Sequence, residues 1–445
     1  MGRYSLFAAW AAFFLASPAF GLIHQGPILL QGFKLKKMIS HPISAYHVFV
    51  TDDKGEAKAI PFQIDEVNKY GDYVLDEGLS PNKETGNGIF DRQDVLVLMG
   101  NDVALSMQVP KFKGKKPDKL FQLSFHQKES GRQGSVFVGV FLKEAPSRVE
   151  KSYVVFSKKN HSIHTSRYHY LFDKENYLIL KEASLSQGRQ ILMSSTFFLH
   201  ADFKYFFNVN ANHRTLNSRL EAYKRGPIRT IIRVDFYLSF LKINIDVGMF
   251  TEVSFYSNTI DLPAVIYSPI DGSSVLNKSS YLYYGFAFKE TPENYTLDTN
   301  IKPWSSFLPL ENTKEKDHEL SPSKAAKNPL SEVYWLSLQH SDHMAYIEIN
   351  PSTKLRRLGV EPFLYRRFVD GISLSSIDND EILSIHKAPI NMALGYDLTK
   401  FPEGRNLMSF RLYFENHADK NQIEGYKNLG KWYHRLRRLE DRSFK

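Results

Sequence analysis

Between Arg229 and Phe240 the chain reads Arg-Thr-Ile-Ile-Arg-Val-Asp-Phe-Tyr-Leu-Ser-Phe. Its apolar set recurs at every second position: Thr230, Ile232, Val234, Phe236, Leu238 and Phe240 fall on one side, and Arg229, Arg233, Asp235 and Ser239 on the other. A period of two is that of a strand with one face in a core and one in water. The phase slips after Phe240, and Leu241, Ile243, Ile245, Val247 and Met249 carry the apolar set onward, so a turn or bulge belongs there. Runs of strand length recur at Ser135–Leu142, Tyr153–Phe156, Tyr177–Leu180, Phe203–Asn210, Ser280–Phe288, Val333–Leu338, Met344–Ile349 and Met408–Phe414. Helical periodicity is nearly absent from all of this, which predicts a mostly β protein.

Two segments break the pattern. Lys302–Pro329 is rich in proline, lysine, glutamate and serine and lacks alternation, as expected of a surface insertion. In Asn421–Arg438 the residues Ile423, Tyr426, Leu429, Trp432, Tyr433 and Leu436 fall mostly three apart, which predicts a short C-terminal helix. Its basic cluster, His434, Arg435, Arg437 and Arg438, would sit near the C-terminal end of that helix, where the dipole favours cations. Such a helix caps a β core or docks on a membrane or partner. The expected organisation is a signal peptide over 1–21, a β-sandwich-like domain over 22–150, a larger β domain over 151–420 carrying the insertion 302–329, and a helix and basic tail over 421–445.

The signal peptide rests on Arg3, a short apolar stretch from Leu6 to Leu15, and small residues at Ala19 and Gly21 that suit a peptidase. No later segment reaches the roughly 20 apolar residues a spanning helix needs. With no cysteine in 445 residues, thiolate nucleophiles, cysteine-held zinc and disulfides are all excluded. Export without disulfides suits a Gram-negative periplasm or the medium outside it. The formal charge of +9 admits anionic lipid, acidic polysaccharide or nucleic acid as partners, and export argues against the last.

Gly86-Asn87-Gly88-Ile89-Phe90-Asp91-Arg92-Gln93-Asp94 offers a candidate cation loop. With Gly88 at the sixth position of a twelve-residue calcium loop, Asn87, Asp91 and Asp94 fall at oxygen-bearing positions, but Lys83 stands first and supplies none. The alternative is a turn whose side chains satisfy backbone amides. No cofactor is expected beyond a weakly held calcium ion. Histidines gather at His161, His164 and His169, and at His340 and His343 around Asp342, without a decisive metal spacing. Arg229 and Arg233, four residues apart on one strand face, are candidate ligands for an anion, with Asn212 beside them. His213 and Tyr223 are the candidate bases of a catalytic alternative. GxSxG, HExxH and phosphate-loop signatures are absent.

Ile60-Pro61-Phe62-Gln63-Ile64-Asp65-Glu66, together with Asn87–Val97, resembles a pattern in exported bacterial proteins of unassigned function that open with a β domain. Arg225-Gly226-Pro227-Ile228-Arg229-Thr230-Ile231-Ile232-Arg233-Val234 resembles a strand of galactose-mutarotase-like β-supersandwich domains, which occur in carbohydrate epimerases and polysaccharide lyases. The resemblance implies a supersandwich-like second domain. The expected function is that of an exported carbohydrate-binding or envelope-associated protein recognising acidic glycans. The alternatives are a polysaccharide lyase or sugar epimerase, and an outer-membrane β-barrel.

Overall fold

The computed structural model describes residues 26–127, 131, 133–177, 179–185, 190–204, 208–212, 215–240, 243–268, 270–278, 280–288, 296–299, 330–331, 334–340, 343–367, 390–415 and 432–439. The expected signal peptide and the insertion 302–329 lie outside the described residues. Strands dominate, arranged in four sheets, and the helices include only short α-helices such as Gly272–Val275 and Thr353–Arg357.

A three-stranded sheet, ordered Pro27–Gln31, Val95–Met99, Gln63–Asp65, packs on a five-stranded sheet ordered Trp432–Leu439, Lys119–Gln127, Gln133–Val140, Tyr46–Thr51, Ala57–Ile60. Ile28, Leu30, Ile64, Leu96 and Leu98 from the first meet Val48, Phe121, Leu123, Val136 and Val138 from the second. The apolar run Val95–Met99 shows no alternation because both its faces are covered. Leu96 and Leu98 enter that sandwich, while Val95, Val97 and Met99 turn the other way and pack with Ile228 and Tyr256 of the following domain.

That domain is a pair of large antiparallel sheets of nine and ten strands, stacked over one core. Thr230–Phe240 lies within the nine-stranded sheet, flanked by Leu216–Arg225 and Ile243–Phe255, and its Ile232, Val234 and Phe236 are core residues as the alternation predicts. Ile163, Tyr170, Phe172, Leu282, Leu394 and Tyr396 of the ten-stranded sheet meet them. Phe240 pairs with Ile243, so the chain reverses at the predicted slip, and a register shift falls earlier, between Phe236 and Tyr237. The molecule is thus a stack of five-, three-, nine- and ten-stranded layers.

Two expectations are corrected. Among the described residues the sheets are open, with edge strands and apolar faces turned toward one another, so the barrel reading does not hold. The predicted C-terminal helix is, over Trp432–Leu439, a strand paired with Lys119–Gln127, with Leu436 opposite Leu123 and Leu439 opposite Leu120. Leu436 packs on the core between the five- and three-stranded sheets, and Leu439 packs on the opposite face with Phe49, Leu120, Phe137 and Phe141. A strand buried on both faces can place apolar residues three apart, which imitates one side of a helix. Residues 421–431 lie outside the described set.

Candidate binding cleft

The two motifs that carry the family resemblance are each other's partners. Gln63 Oε1 accepts from the backbone amides of Ile228 (3.2 Å) and Arg229 (3.1 Å), capping the Gly-Pro turn. A Cβ at Gly226 would stand 2.0 Å from that oxygen, so no other residue lets the turn approach this closely. Arg229 Nε donates to Asp65 Oδ2 at 2.8 Å, and Lys224 Nζ lies 3.3 Å from Asp65 Oδ1. Burial alone would raise the Asp65 carboxyl, but Arg229 and Lys224 outweigh it and hold it below the usual carboxylate range.

Arg229 therefore lies on the strand face opposite the core, as its parity predicts, yet is only 1% exposed because the three-stranded sheet covers that face. The expectation that it is solvent-exposed is wrong. Arg233 is half-buried, bonded to Asp235 (3.0 Å), with its guanidinium 4.3 Å from the Phe250 ring centre. Tyr223 points into the core between the two large sheets, edge-on to Phe156, with its hydroxyl on Glu77. Asn212 ends a strand of the ten-stranded sheet, whereas Tyr223 belongs to the nine-stranded one, and His213 lies outside the described residues. The expected groove of Asn212, Tyr223, Arg229 and Arg233 is not assembled.

Arg229 instead forms the wall of a cavity of about 190 Å³, shared with Glu252, Asp261, Asn350, Ser409 and Arg411 and edged by Tyr73. Strand register builds it: Ser254 pairs with Asp261 and Asp261 with Arg411, so Glu252, Ser254, Asp261 and Arg411 share the face that Val253 and Phe255 turn away from. Arg229 Nη1 donates to Tyr256 Oη (2.8 Å) and Ser254 Oγ (3.2 Å), and the guanidinium lies 4.6 Å from the Tyr73 ring centre. Arg411 engages Asp261 through Nε and Nη2. Arg229 Nη2 and Glu252 Oε1 are among the buried polar atoms without a hydrogen-bond partner. Burial pushes the Glu252 carboxyl up to about 7, against the backbone amide of Tyr73 that donates to its other oxygen. The sequence held a trace of this site in Glu252 and Ser254, polar residues alternating with Val253 and Phe255. Nothing in it pairs Asp261 with Arg411, 150 residues away.

The candidate cation loop takes the turn arrangement. Glu66 Oε1 accepts from the amides of Asn87 (2.8 Å) and Gly88 (2.6 Å), and Asp94 from those of Val67 (2.9 Å) and Asp91 (2.8 Å). Asn87 Oδ1 accepts from Ile89, and Asp91 Oδ1 from Gln93. Gly88 has φ +70°, the left-handed conformation the turn needs. Burial raises the Asp94 carboxyl to about 6, and Asp91 and Glu66 add to it. These oxygens already serve backbone amides, and among the described residues no group of three or more His, Asp or Glu is arranged to hold a metal ion. Of the histidines, His161 meets the Tyr177 hydroxyl at 2.7 Å, His200 stacks on Tyr281, and His164 stacks on His169 as His340 does on His343.

No protein-family model matches the sequence, and no curated protein does. Among solved structures, an α-mannosidase from Enterococcus faecalis V583 is similar over 91% of this chain and 42% of its own, at 10% identity and a TM-score of 0.48. A protein from Escherichia coli K12 assigned provisionally as an aldose 1-epimerase is similar over 56% of this chain and 96% of its own, at 7% identity and a TM-score of 0.29. The chain spans less than half the length of the mannosidase. Likeness this distant carries no activity across, and the functional reading rests on the cleft itself.

Proposed function

We propose that the protein is an exported carbohydrate-binding protein and that a sugar ring occupies the cleft between Arg229, Glu252, Asp261 and Arg411. The observation that carries this reading is the set of polar side chains that strand register lines up along one cavity, Arg229, Glu252, Asp261 and Arg411. Charged groups removed from water favour partners that can donate and accept, and a ligand rich in hydroxyls suits a lining of that kind. The Tyr73 ring at the cavity edge supplies an apolar surface of the kind sugar rings cover. Arg229 and Arg233 are already paired with Asp65 and Asp235, so the reading favours a neutral sugar over the acidic glycan that the sequence suggests. A glycan array on the wild type and a Ser409→Trp variant, which fills the cavity without removing a charge, tests it. Loss of at least tenfold in affinity in the variant is expected, and unchanged binding rejects the cleft. Export is checked separately by mass spectrometry of the mature N-terminus, where cleavage after Gly21 is expected.

A sugar epimerase is the second reading. It is favoured by the position of Glu252, whose carboxyl is raised to about 7 and shares a strand face with Asp261, an arrangement suited to moving a proton. Acceleration of the interconversion of the α and β anomers of a neutral aldose, a proton transfer between the anomeric hydroxyl and the ring oxygen followed by NMR and abolished in Glu252→Gln, would establish it.

A further inference from the structure

His164 and His169 are five residues apart in sequence and directly opposite one another in structure. The strands Ser162–Thr165 and Tyr168–Phe172 form a tight hairpin in which Thr165 Oγ1 accepts from the amides of Arg167 (3.0 Å) and Tyr168 (2.9 Å), fixing the register that pairs His164 with His169. Ile163, Tyr168, Tyr170 and Phe172 take the core face, so both imidazoles project from the outer face of the ten-stranded sheet. Their ring centres are 4.2 Å apart and their planes 20° from parallel. His164 is exposed, while Ser162 beside it is buried with its Oγ 3.0 Å from His164 Nε2.

We propose that His164 and His169 chelate one divalent transition-metal ion, Cu²⁺ in preference to Zn²⁺, with Ser162 as the positioning residue for His164. Two metal–nitrogen bonds of about 2.0–2.1 Å at a tetrahedral or square angle bring their nitrogens roughly 3 Å apart; because the ion must lie in both ring planes, the rings turn out of their stack on binding, a motion that side chains on an open sheet face allow. Imidazole nitrogen suits copper, zinc and nickel, and affinity at a given nitrogen site rises toward Cu²⁺. Ser162 Oγ lies 3.0 Å from His164 Nε2, so in the metal-bound form its hydroxyl can accept from Nε2–H while the Nδ1 lone pair holds the metal, the arrangement by which an outer partner fixes the tautomer of a ligating histidine. The open face leaves the remaining coordination positions to water. This assignment is independent of the sugar cleft, which lies on the nine-stranded sheet.

The test is calorimetric titration of the full-length chain with CuCl₂ and ZnCl₂, with electron paramagnetic resonance on the first equivalent of copper. Wild type is expected to bind one Cu²⁺ more tightly than Zn²⁺, with splitting from two imidazole nitrogens. His164→Ala and His169→Ala should each weaken Cu²⁺ binding by at least tenfold, Ser162→Ala by a smaller factor, and His340→Ala, in the other stacked pair, not at all. Equal affinity in wild type and both histidine variants, or a first-equivalent spectrum with one nitrogen or none, overturns the proposal. Because the spectrum is read on the unaltered protein, the outcome does not depend on how the variants fold.

Discussion

Arg229 shows what a single residue's parity reveals and what it hides. Alternation placed it on the face opposite Ile232 and Val234, which is correct, but the sequence of one strand says nothing about which other segment covers that face. The cover is Asp65, 164 residues earlier, and its pairing with Arg229 is buried on both sides. Removing one member strands a buried charge, so Asp65→Ala is expected to cost about 3–5 kcal/mol in denaturant unfolding. Asp65→Leu combined with Arg229→Met should recover much of that loss. Glu252 supplies a pH signature. Its carboxyl is raised from about 4.5 to about 7, so the folded state holds a proton that the unfolded state releases across this interval. Its contribution is fully present below about 4.5 and lost as pH rises through about 7. Glu252→Gln, neutral throughout, should match wild type near pH 4 and exceed it by up to about 3 kcal/mol at pH 8. Unfolding curves at the two pH values decide this, and equal differences at both would show that Glu252 does not titrate in this window.

Among elements, strict alternation made a strand legible, and apolar residues spaced three apart hid one. Thr230–Phe240 announced itself through strict alternation, and the hairpin that follows it through the slip in phase. Trp432–Leu439 was misread because Leu436 and Leu439 serve opposite faces of their sheet, each with its own core. Leu439→Asp places a carboxylate beside Phe49 and Phe141 and is expected to destabilise this strand and the edge it covers. Hydrogen exchange should then accelerate at Lys119–Gln127 while Thr230–Phe240 keeps its protection, and unchanged exchange at Lys119–Gln127 would contradict the pairing. The turn at Asn87–Asp94 was legible only as two alternatives, because spacing shows which oxygens are near one another and not which amides already claim them.

At the scale of the whole molecule, the three-stranded sheet is the shared layer. It faces the five-stranded sheet through Leu96 and Leu98 and the nine-stranded sheet through Val95, Val97 and Met99. Wild type is therefore expected to unfold in urea in one transition. Val97→Asp, which buries a charge between the layers, should lower the midpoint and divide the transition in two, as read by far-ultraviolet circular dichroism against tyrosine and tryptophan fluorescence. A single, merely shifted transition would show that the layers stay coupled without this contact. The sequence located the two motifs that join the layers, yet their meeting at Gln63, Asp65, Gly226 and Arg229 depends on contacts between distant segments. The strand Trp432–Leu439 has a consequence in time. Leu120 waits for Leu439, more than 300 residues further along, before its sheet is complete. A chain emerging from a ribosome or a translocon exposes the bare flank of Lys119–Gln127 throughout that interval, and so long a closure slows folding. The layer made first is finished last, and until then its open edge invites pairing with other chains.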